Sequence, residues 1–198
     1  PFAIGARLWL DPREPEEAPL PIPDGRLRLR LPARSAFGTG SHESTRLALE
    51  LIEDLATIGA LAGKSVLEVG AGTGVLSFAA RAFGAERAIA FDLDPAAPFH
   101  ARDNARLNGL PIAGFAGRTA ALHPSAQFDF VLLNVLPEEI FGELGDVIAR
   151  VARGGELVFS GILAERGDEI LARVAKFGLA ERGRRVAGEW IAFRLGRA

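Results

Sequence analysis

The sequence predicts an α/β fold in which short buried strands alternate with helices. Apolar runs at residues 64–69, 87–92 and 128–134 are typical of parallel strands covered on both faces. A segment of helical length follows each of them. The last two predicted strands, 179–186 and 189–195, are joined by so short a turn that they must pair antiparallel. These observations predict a mostly parallel sheet between two layers of helices.

Length, composition and charge limit the classes of function. A chain of 198 residues forms one large domain, or one domain with a small appendage. It has no long apolar run and no signal-peptide pattern, so we expect a soluble cytoplasmic protein that does not contact a membrane. It has no cysteine, and its three histidines lack ligand spacing, so no metal site is predicted. A net charge of −2 gives no electrostatic indication of nucleic-acid binding.

A glycine-rich turn follows the first apolar run. Gly70, Gly72 and Gly74 would let a ligand approach the backbone N–H groups that open the next helix, predicted at 75–83. A dinucleotide-binding turn requires G-x-G-x-x-G, but here the third glycine comes one residue early. Glu68, two residues before the first glycine, would also repel a pyrophosphate. A strand-to-helix turn without a ligand is the alternative.

The second apolar run ends in acidic residues. Ligands of open α/β sheets bind beyond the carboxyl ends of the strands, and an acid about twenty residues after the glycine turn accepts both ribose hydroxyls. Asp92 is the candidate for that role. Asp94 precedes Pro95 and is expected to cap the next helix, predicted at 99–108, whose start Pro98 delays or makes irregular.

The N-terminal segment, residues 1–34, is predicted to be a lead-in that contains a strand pair. The strands are expected at 7–10 and 26–31, on either side of a loop rich in proline and glutamate. Arginine and leucine alternate in the second strand, so its arginines share one face. We favour a solvated arginine face over a docking surface for an acidic partner.

A second glycine-rich stretch, residues 35–45, directly precedes an amphipathic helix. Leu47, Leu51 and Leu55 supply the apolar face of that helix, and serines and threonines supply its caps. A capped loop is one interpretation, but the stretch holds more small and polar residues than a cap needs. His42 is either part of a functional motif or a packed residue at the start of the helix.

Two motifs resemble those of known methyltransferases. The pattern E-x-G-x-G-x-G at 68–74 resembles motif I of the class I S-adenosylmethionine-dependent methyltransferases. The stretch A-F-G-T-G-S-H-E-S-T-R at 36–46 resembles a motif of the PrmA family, bacterial enzymes that methylate amino groups of a large-subunit ribosomal protein. Residues 1–10 resemble the link that follows that family's recognition domain, which has no counterpart ahead of Pro1, so we expect the catalytic domain only. Shorter matches lie at 107–110, 134–136, 154–155, 160–163 and 188–190.

The resemblance implies a Rossmann-like class I methyltransferase domain at 35–198. Its sheet would have seven strands, mostly parallel with one antiparallel strand, and helices on both faces. The implied cofactor is S-adenosyl-L-methionine, with Glu68 facing its ammonium group, residues 37–40 closing over its methionine part and Thr119 near its adenine. The residues expected to bind the cofactor are Phe37, Gly38, Thr39, Gly40, Glu68, Gly70, Ala71, Gly72, Gly74, Asp92, Leu93, Thr119 and Asn134.

By the same resemblance, Asn134 is the expected catalytic residue. Related amino-group methyltransferases place N-P-P-[YF] or D-P-P-Y at this point, where the side-chain carbonyl accepts hydrogen bonds from the amine. This chain has N-V-L-P, without the stacking aromatic residue, so an aliphatic amine is favoured over a planar acceptor. The alternative role for Asn134 is to cap a helix predicted at 137–151.

The expected function is therefore that of an S-adenosylmethionine-dependent N-methyltransferase. Its expected substrate is a lysine side chain or the N-terminal amine of a protein, as in the methylation of ribosomal proteins. Two alternatives stay open at this point. The same machinery could act on a small molecule or nucleic acid, or the chain could be a cofactor-binding partner domain that no longer catalyses. Trp190 is expected to pack within the fold rather than contact a substrate.

Overall fold

The computed structural model describes residues 1–18, 20–32 and 40–197. It contains a small N-terminal sheet, a large central sheet and helices on both faces of the central sheet. The elements in chain order are β1 (Phe2–Ile4), β2 (Leu8–Asp11), β3 (Leu27–Arg30), α1 (Glu43–Thr57), β4 (Ser65–Val69), α2 (Val75–Ala82), β5 (Arg87–Asp92), α3 (Ala97–Asn108), β6 (Ala113–Ala116), β7 (Phe128–Asn134), α4 (Pro137–Ile140), α5 (Leu144–Ala149), β8 (Val151–Leu163), α6 (Gly167–Ala175), β9 (Leu179–Ala187) and β10 (Trp190–Arg197).

The central sheet has seven strands in the order β6-β5-β4-β7-β8-β10-β9. Only β10 runs antiparallel to its neighbours, and the other pairs are parallel. This arrangement confirms the predicted sheet. From β4 the chain builds outward through β5 to β6, and then returns to the other side of β4 with β7. The order of the strands therefore reverses between β4 and β7, where open α/β sheets bind their ligands.

Two hydrophobic clusters lie on opposite faces of this sheet. Successive residues of β7 alternate between them: Phe130 and Leu132 belong to the cluster with α1 and α2, whereas Val131 and Leu133 belong to the cluster with α5 and α6. A strand buried on both faces needs apolar residues at every position rather than at every second one. This explains why the sequence shows a continuous apolar run here, and why its bounds were predicted correctly.

The small sheet has three strands, one more than the sequence predicted. β2 pairs antiparallel with β1 and parallel with β3. β1 has only three residues, which is too short for a period to be recognised. Ile4, Leu8 and Leu29 are fully buried in the same cluster as α1 and α2. The small sheet thus shares its core with the central sheet.

Arg26, Arg28 and Arg30 are half-buried, so the predicted arginine face is only partly exposed to solvent. Their guanidinium groups donate to backbone carbonyl oxygens of the turn before β2, of β2 itself and of the loop between β2 and β3. The bonds run from Arg26 to Leu8 (2.8 Å), from Arg28 to Leu20 and from Arg30 to Glu14 (2.9 Å). Such acceptors carry no signature in the sequence, since every residue has a carbonyl group.

Helix bounds differ from the predictions where proline and glycine act. α3 begins at Ala97 rather than at 99, because Pro98 lies in the first turn, where its missing N–H costs no helical bond. The helix ends at Asn108, as predicted, and Gly109, with a φ of +64°, is its C-cap. The single helix predicted at 137–151 is instead two short helices, α4 and α5.

One glycine brings two strand ends into close contact. Gly161 in β8 has a φ of +83°, and a Cβ built there would lie 2.5 Å from the carbonyl oxygen of Val135 and 3.0 Å from its backbone nitrogen. Only a residue without a side chain permits this approach. Val135 directly follows β7, so Gly161 sets the position of the chain next to Asn134.

We predict that Gly161→Ala lowers the free energy of unfolding by about 3 kcal/mol, because it combines an unfavourable positive φ with a clash against backbone atoms. Gly154→Ala is the matched control. Gly154 also has a positive φ, +73°, but nothing lies within 4 Å of a Cβ built there, so we expect a loss of about 1 kcal/mol. Urea unfolding monitored by circular dichroism measures both values. Equal losses would contradict the proposed contact.

Candidate functional site

A cleft of about 470 Å³ opens at the carboxyl edge of the central sheet. The ends of four strands line it, through Val69, Asp92, Asn134 and Gly161. Val69 pairs with Phe91 on one side and Leu133 on the other, so the residues that follow these three strands meet in one place. The cleft therefore lies at the point where the strand order reverses.

The glycine turn forms part of this cleft, but its N–H groups are used within the protein. Gly70 and Gly72 line the cleft. The N–H of Gly70 donates to the carbonyl oxygen of Phe91 (2.9 Å), and the N–H of Gly72 donates to Asp92 Oδ2 (2.8 Å). The N–H groups of both glycines therefore already have acceptors, and approach of a ligand to this turn stays a prediction. A phosphate, which depends on such donors, does not fit this turn.

Glu68 closes the N-terminus of α2. Its side chain is 2% exposed, and its oxygens accept hydrogen bonds from the backbone N–H groups of Leu76 (3.3 Å) and Ser77 (2.8 Å). Burial raises the pKa of the Glu68 carboxyl to about 7, although the bonds from Ser77 and Leu76 act in the opposite direction. The positive end of the helix already has an acidic partner. Contact between Glu68 and a cofactor's ammonium group stays a prediction.

Asp92 lies between the glycine turn and the start of α3. Its Oδ2 accepts from the N–H of Gly72, and its Oδ1 accepts from the N–H of Asp94 (2.9 Å). These two bonds fix the carboxylate at the edge of the cleft, where it keeps lone pairs for a ligand. The next residue, Leu93, also lines the cleft and is 61% exposed. Binding of ribose hydroxyls by Asp92 stays a prediction.

Several residues predicted to bind the cofactor do not line this cleft. Gly74 caps α2, and a Cβ built there would lie 3.0 Å from the ring of Phe78. Thr119 is fully buried, and two other residues of that loop, Gly117 and Arg118, line the cleft instead. Ala71 and Gly40 are buried away from it, and a Cβ on Gly40 would clash with a leucine of β2. Phe37, Gly38 and Thr39 lie outside the described residues.

Asn134 ends β7 and lines the cleft. Its Nδ2 donates to Thr45 Oγ1 (2.9 Å) in the first turn of α1. Its Oδ1 is buried and accepts no hydrogen bond from any described residue. The N-cap of α4 is Leu136, and no N–H group of the described residues donates to Asn134 Oδ1, so the alternative role of Asn134 as a helix cap is wrong. A buried carbonyl oxygen without a donor is costly, which indicates a ligand that supplies an N–H or O–H group.

Two aromatic side chains form a wall that the sequence did not predict. Trp190 lines the cleft, and its ring meets the ring of His42 edge to face, with centroids 4.8 Å apart. Trp190 packs against the core, as expected, and its ring also faces the cleft. His42 caps α1 by accepting from the N–H of Ser44 (3.3 Å), and it lines the cleft as well. Val135, the exposed Leu136 and Ile140 extend the apolar wall.

The charged residues of the cleft are mostly acidic. Asp92, Glu139 and Glu143 line it, and Arg118 is the one basic residue among the described lining residues. Arg118 forms an ion pair with Glu143. Although partial burial opposes it, this pair holds the pKa of the Glu143 carboxyl below its usual range. Within the described residues, no group of three His, Cys, Asp or Glu side chains could hold a metal ion.

A family model with the description "Ribosomal protein L11 methyltransferase (PrmA)" matches residues 1–198. The chain belongs to the PrmA family. A ribosomal protein L11 methyltransferase from Pelobacter propionicus is 41% identical over 199 residues, which cover 100% of this chain and 63% of that protein. The chain therefore spans less than two thirds of the length of this PrmA relative.

Solved structures confirm the predicted Rossmann-like class I methyltransferase fold. The crystal structure of a ribosomal protein L11 methylase from Lactobacillus delbrueckii subsp. bulgaricus superposes with a TM-score of 0.86 at 27% identity, covering 99% of this chain and 97% of that one. A magnesium protoporphyrin IX methyltransferase from Synechocystis PCC 6803, solved with bound SAM, has the same fold at 18% identity and a TM-score of 0.64, covering 84% and 86% of the two chains. None of the helices in the described part of this PrmA family member is long and apolar enough to cross a membrane.

Glu68 predicts a specific dependence of stability on pH. The pKa of its carboxyl is about 7 in the folded chain and 4.5 when the carboxyl is exposed to water, as in the unfolded chain. Between these two pH values the folded state therefore binds more protons than the unfolded state. The free energy of unfolding therefore falls as pH rises through this range. Relative to Glu68→Gln, the wild type should lose about 2 kcal/mol between about pH 5 and about pH 8.

Urea unfolding at a series of pH values measures this difference. Glu189→Gln, which removes an exposed carboxylate, is the control for the loss of one charge. Parallel curves for the wild type and Glu68→Gln would show that burial does not shift this carboxyl.

Proposed function

We propose that this chain is an S-adenosylmethionine-dependent N-methyltransferase that acts on amino groups of a protein of the ribosomal type. The observation that carries the proposal is the buried Oδ1 of Asn134, which accepts no hydrogen bond from the described residues and which a ligand N–H group would satisfy in the cleft at the strand-order reversal. Membership of the PrmA family supports the reaction class and the kind of substrate.

The residues present fit S-adenosyl-L-methionine better than a dinucleotide. Glu68 occupies the α2 N-terminus that a pyrophosphate would need, and the turn's N–H groups are engaged. Gly70, Gly72 and Asp92 would hold the cofactor, with the Asp92 carboxylate accepting from its ribose hydroxyls. The cofactor would supply a methyl group made electrophilic by the neighbouring sulfonium. A methyltransferase of the same fold has been solved with SAM bound.

The acceptor amine would lie between Asn134 and the apolar wall. Asn134 Oδ1 accepts from an N–H of the amine and so directs the nitrogen lone pair, while the bond from Nδ2 to Thr45 holds the amide in place. An unperturbed lysine ammonium has a pKa of about 10.4 and must lose a proton before it can react. Apolar neighbours such as Val135 and Ile140 favour the neutral amine. The proton can leave to water.

A titration followed by a transfer assay tests the proposal. We expect micromolar binding of S-adenosylmethionine and none of NADH by calorimetry. We also expect label from the cofactor's methyl group to enter a protein band of a cell extract. Label found only in small molecules or nucleic acid would favour those substrates instead. Binding without transfer would favour a non-catalytic partner domain, and no binding of S-adenosylmethionine would refute the cofactor assignment.

Asn134→Ala should lower kcat for methyl transfer by about a hundredfold, because the amine loses the group that positions it. The Kd for S-adenosylmethionine should change little, because the other residues proposed to hold it are intact. Asn108→Ala is the matched control. Its amide bonds with the backbone of Arg30 and does not line the cleft, so that variant should keep the wild-type kcat. Unchanged turnover in Asn134→Ala would contradict the role of Asn134.

A further inference from the structure

Most polar groups of the cleft are already hydrogen-bonded within the protein. Arg118 is paired with Glu143. The Asp92 carboxylate accepts from two backbone N–H groups, and the amide nitrogen of Asn134 donates to a threonine. The Oδ1 of Asn134 and the carboxylate of Glu139 are two lining acceptors that have no hydrogen-bond partner among the described residues. Both can accept hydrogen bonds from a ligand that carries N–H groups.

Glu139 differs from its neighbour in sequence. Both glutamates lie on α4 and are exposed, but only Glu139 lines the cleft. Glu138 forms an ion pair with Arg166. No described residue supplies an ion pair or hydrogen bond to the carboxylate of Glu139. This carboxylate is therefore available to a ligand at the rim of the cleft.

The charge of the lining residues has the same sign as Glu139. Three carboxylates and one guanidinium line the cleft, and the guanidinium is paired. A phosphate backbone would meet net negative charge here. A cationic segment would meet an unpaired carboxylate, which raises its local concentration and its rate of association.

We propose that Glu139 is a specificity-determining residue that recruits a positively charged, lysine-bearing segment to the cleft. This inference rests on the proposed methyltransferase function and narrows its substrate class to basic peptide segments. Glu139 follows Asn134 by five residues and lies at the exposed rim. It can therefore attract the cation on approach while the apolar wall favours the neutral amine further inside.

The test measures binding of a short synthetic peptide of alternating lysine and glycine to the chain in the presence of S-adenosylmethionine, by calorimetry. At low ionic strength, Glu139→Gln should weaken binding about threefold to fivefold, as expected for one exposed charge. At about 1 M salt, where the Debye length is about 3 Å, the difference should disappear. Glu138→Gln is the matched control and should bind as the wild type does. The same peptide with acetylated lysines should not distinguish the variants, because it carries no charge on its side chains.

Equal binding by the wild type and Glu139→Gln at low salt would overturn the proposal, as would no binding of the lysine peptide to the wild type. A difference that persists at high salt would also overturn it, since that result indicates altered packing rather than charge. These outcomes are separate from the labelling assay. The methyltransferase assignment can hold while Glu139 has no role in selecting the substrate.

Discussion

The hydrogen bonds from the start of α2 to Glu68 determine what the central turn can bind. The Glu68 side chain is 2% exposed and accepts hydrogen bonds from the N–H groups of Leu76 and Ser77. These bonds connect the end of β4 to the first turn of α2, on the other side of the glycine turn. The Glu68 carboxylate also takes the place that a bound anion would take at a helix N-terminus. The fold thus keeps the strand-turn-helix unit common to nucleotide-binding sheets but removes its phosphate site. A cationic, nucleoside-bearing cofactor is compatible with the groups that are left.

A second set of contacts joins α1 to the opposite side of the cleft. Thr45 accepts from the amide of Asn134, and Ser160 donates to the carbonyl oxygen of Ser44 (2.7 Å). These bonds link the first turn of α1 to the ends of β7 and β8. The Asn134 amide is consequently fixed through its Nδ2, whereas its Oδ1 accepts no hydrogen bond from the described residues. Catalysis by positioning requires this kind of support, because a displaced acceptor group loses much of its effect.

Charge and polarity divide the cleft into two environments. The rim carries acidic side chains, of which Glu139 has no partner among the described residues. The wall formed by Val135, Ile140 and Trp190 is apolar. The proposed amine substrate has to arrive as a cation and react as a neutral group, and these two requirements call for different surroundings. Both kinds of surroundings are present within a few residues after β7.

The sequence by itself determined the α/β class, a mostly parallel sheet, the glycine turn, and the location of Asp92 and Asn134 at strand ends. Each of these follows from local periodicity, glycine spacing or a strand's last residue, all of which are encoded within a few neighbouring positions. The number of strands and the one reversed strand were implied by the resemblance to known methyltransferases. The tertiary structure alone decided that Glu68 bonds to α2, that Trp190 reaches the cleft and that no residue in the described part of the chain donates to Asn134 Oδ1. It also decided that Thr45, 89 residues away in the chain, holds the Asn134 amide. These outcomes depend on where distant segments meet and on which donors and acceptors are already used, and no local pattern of residues records that.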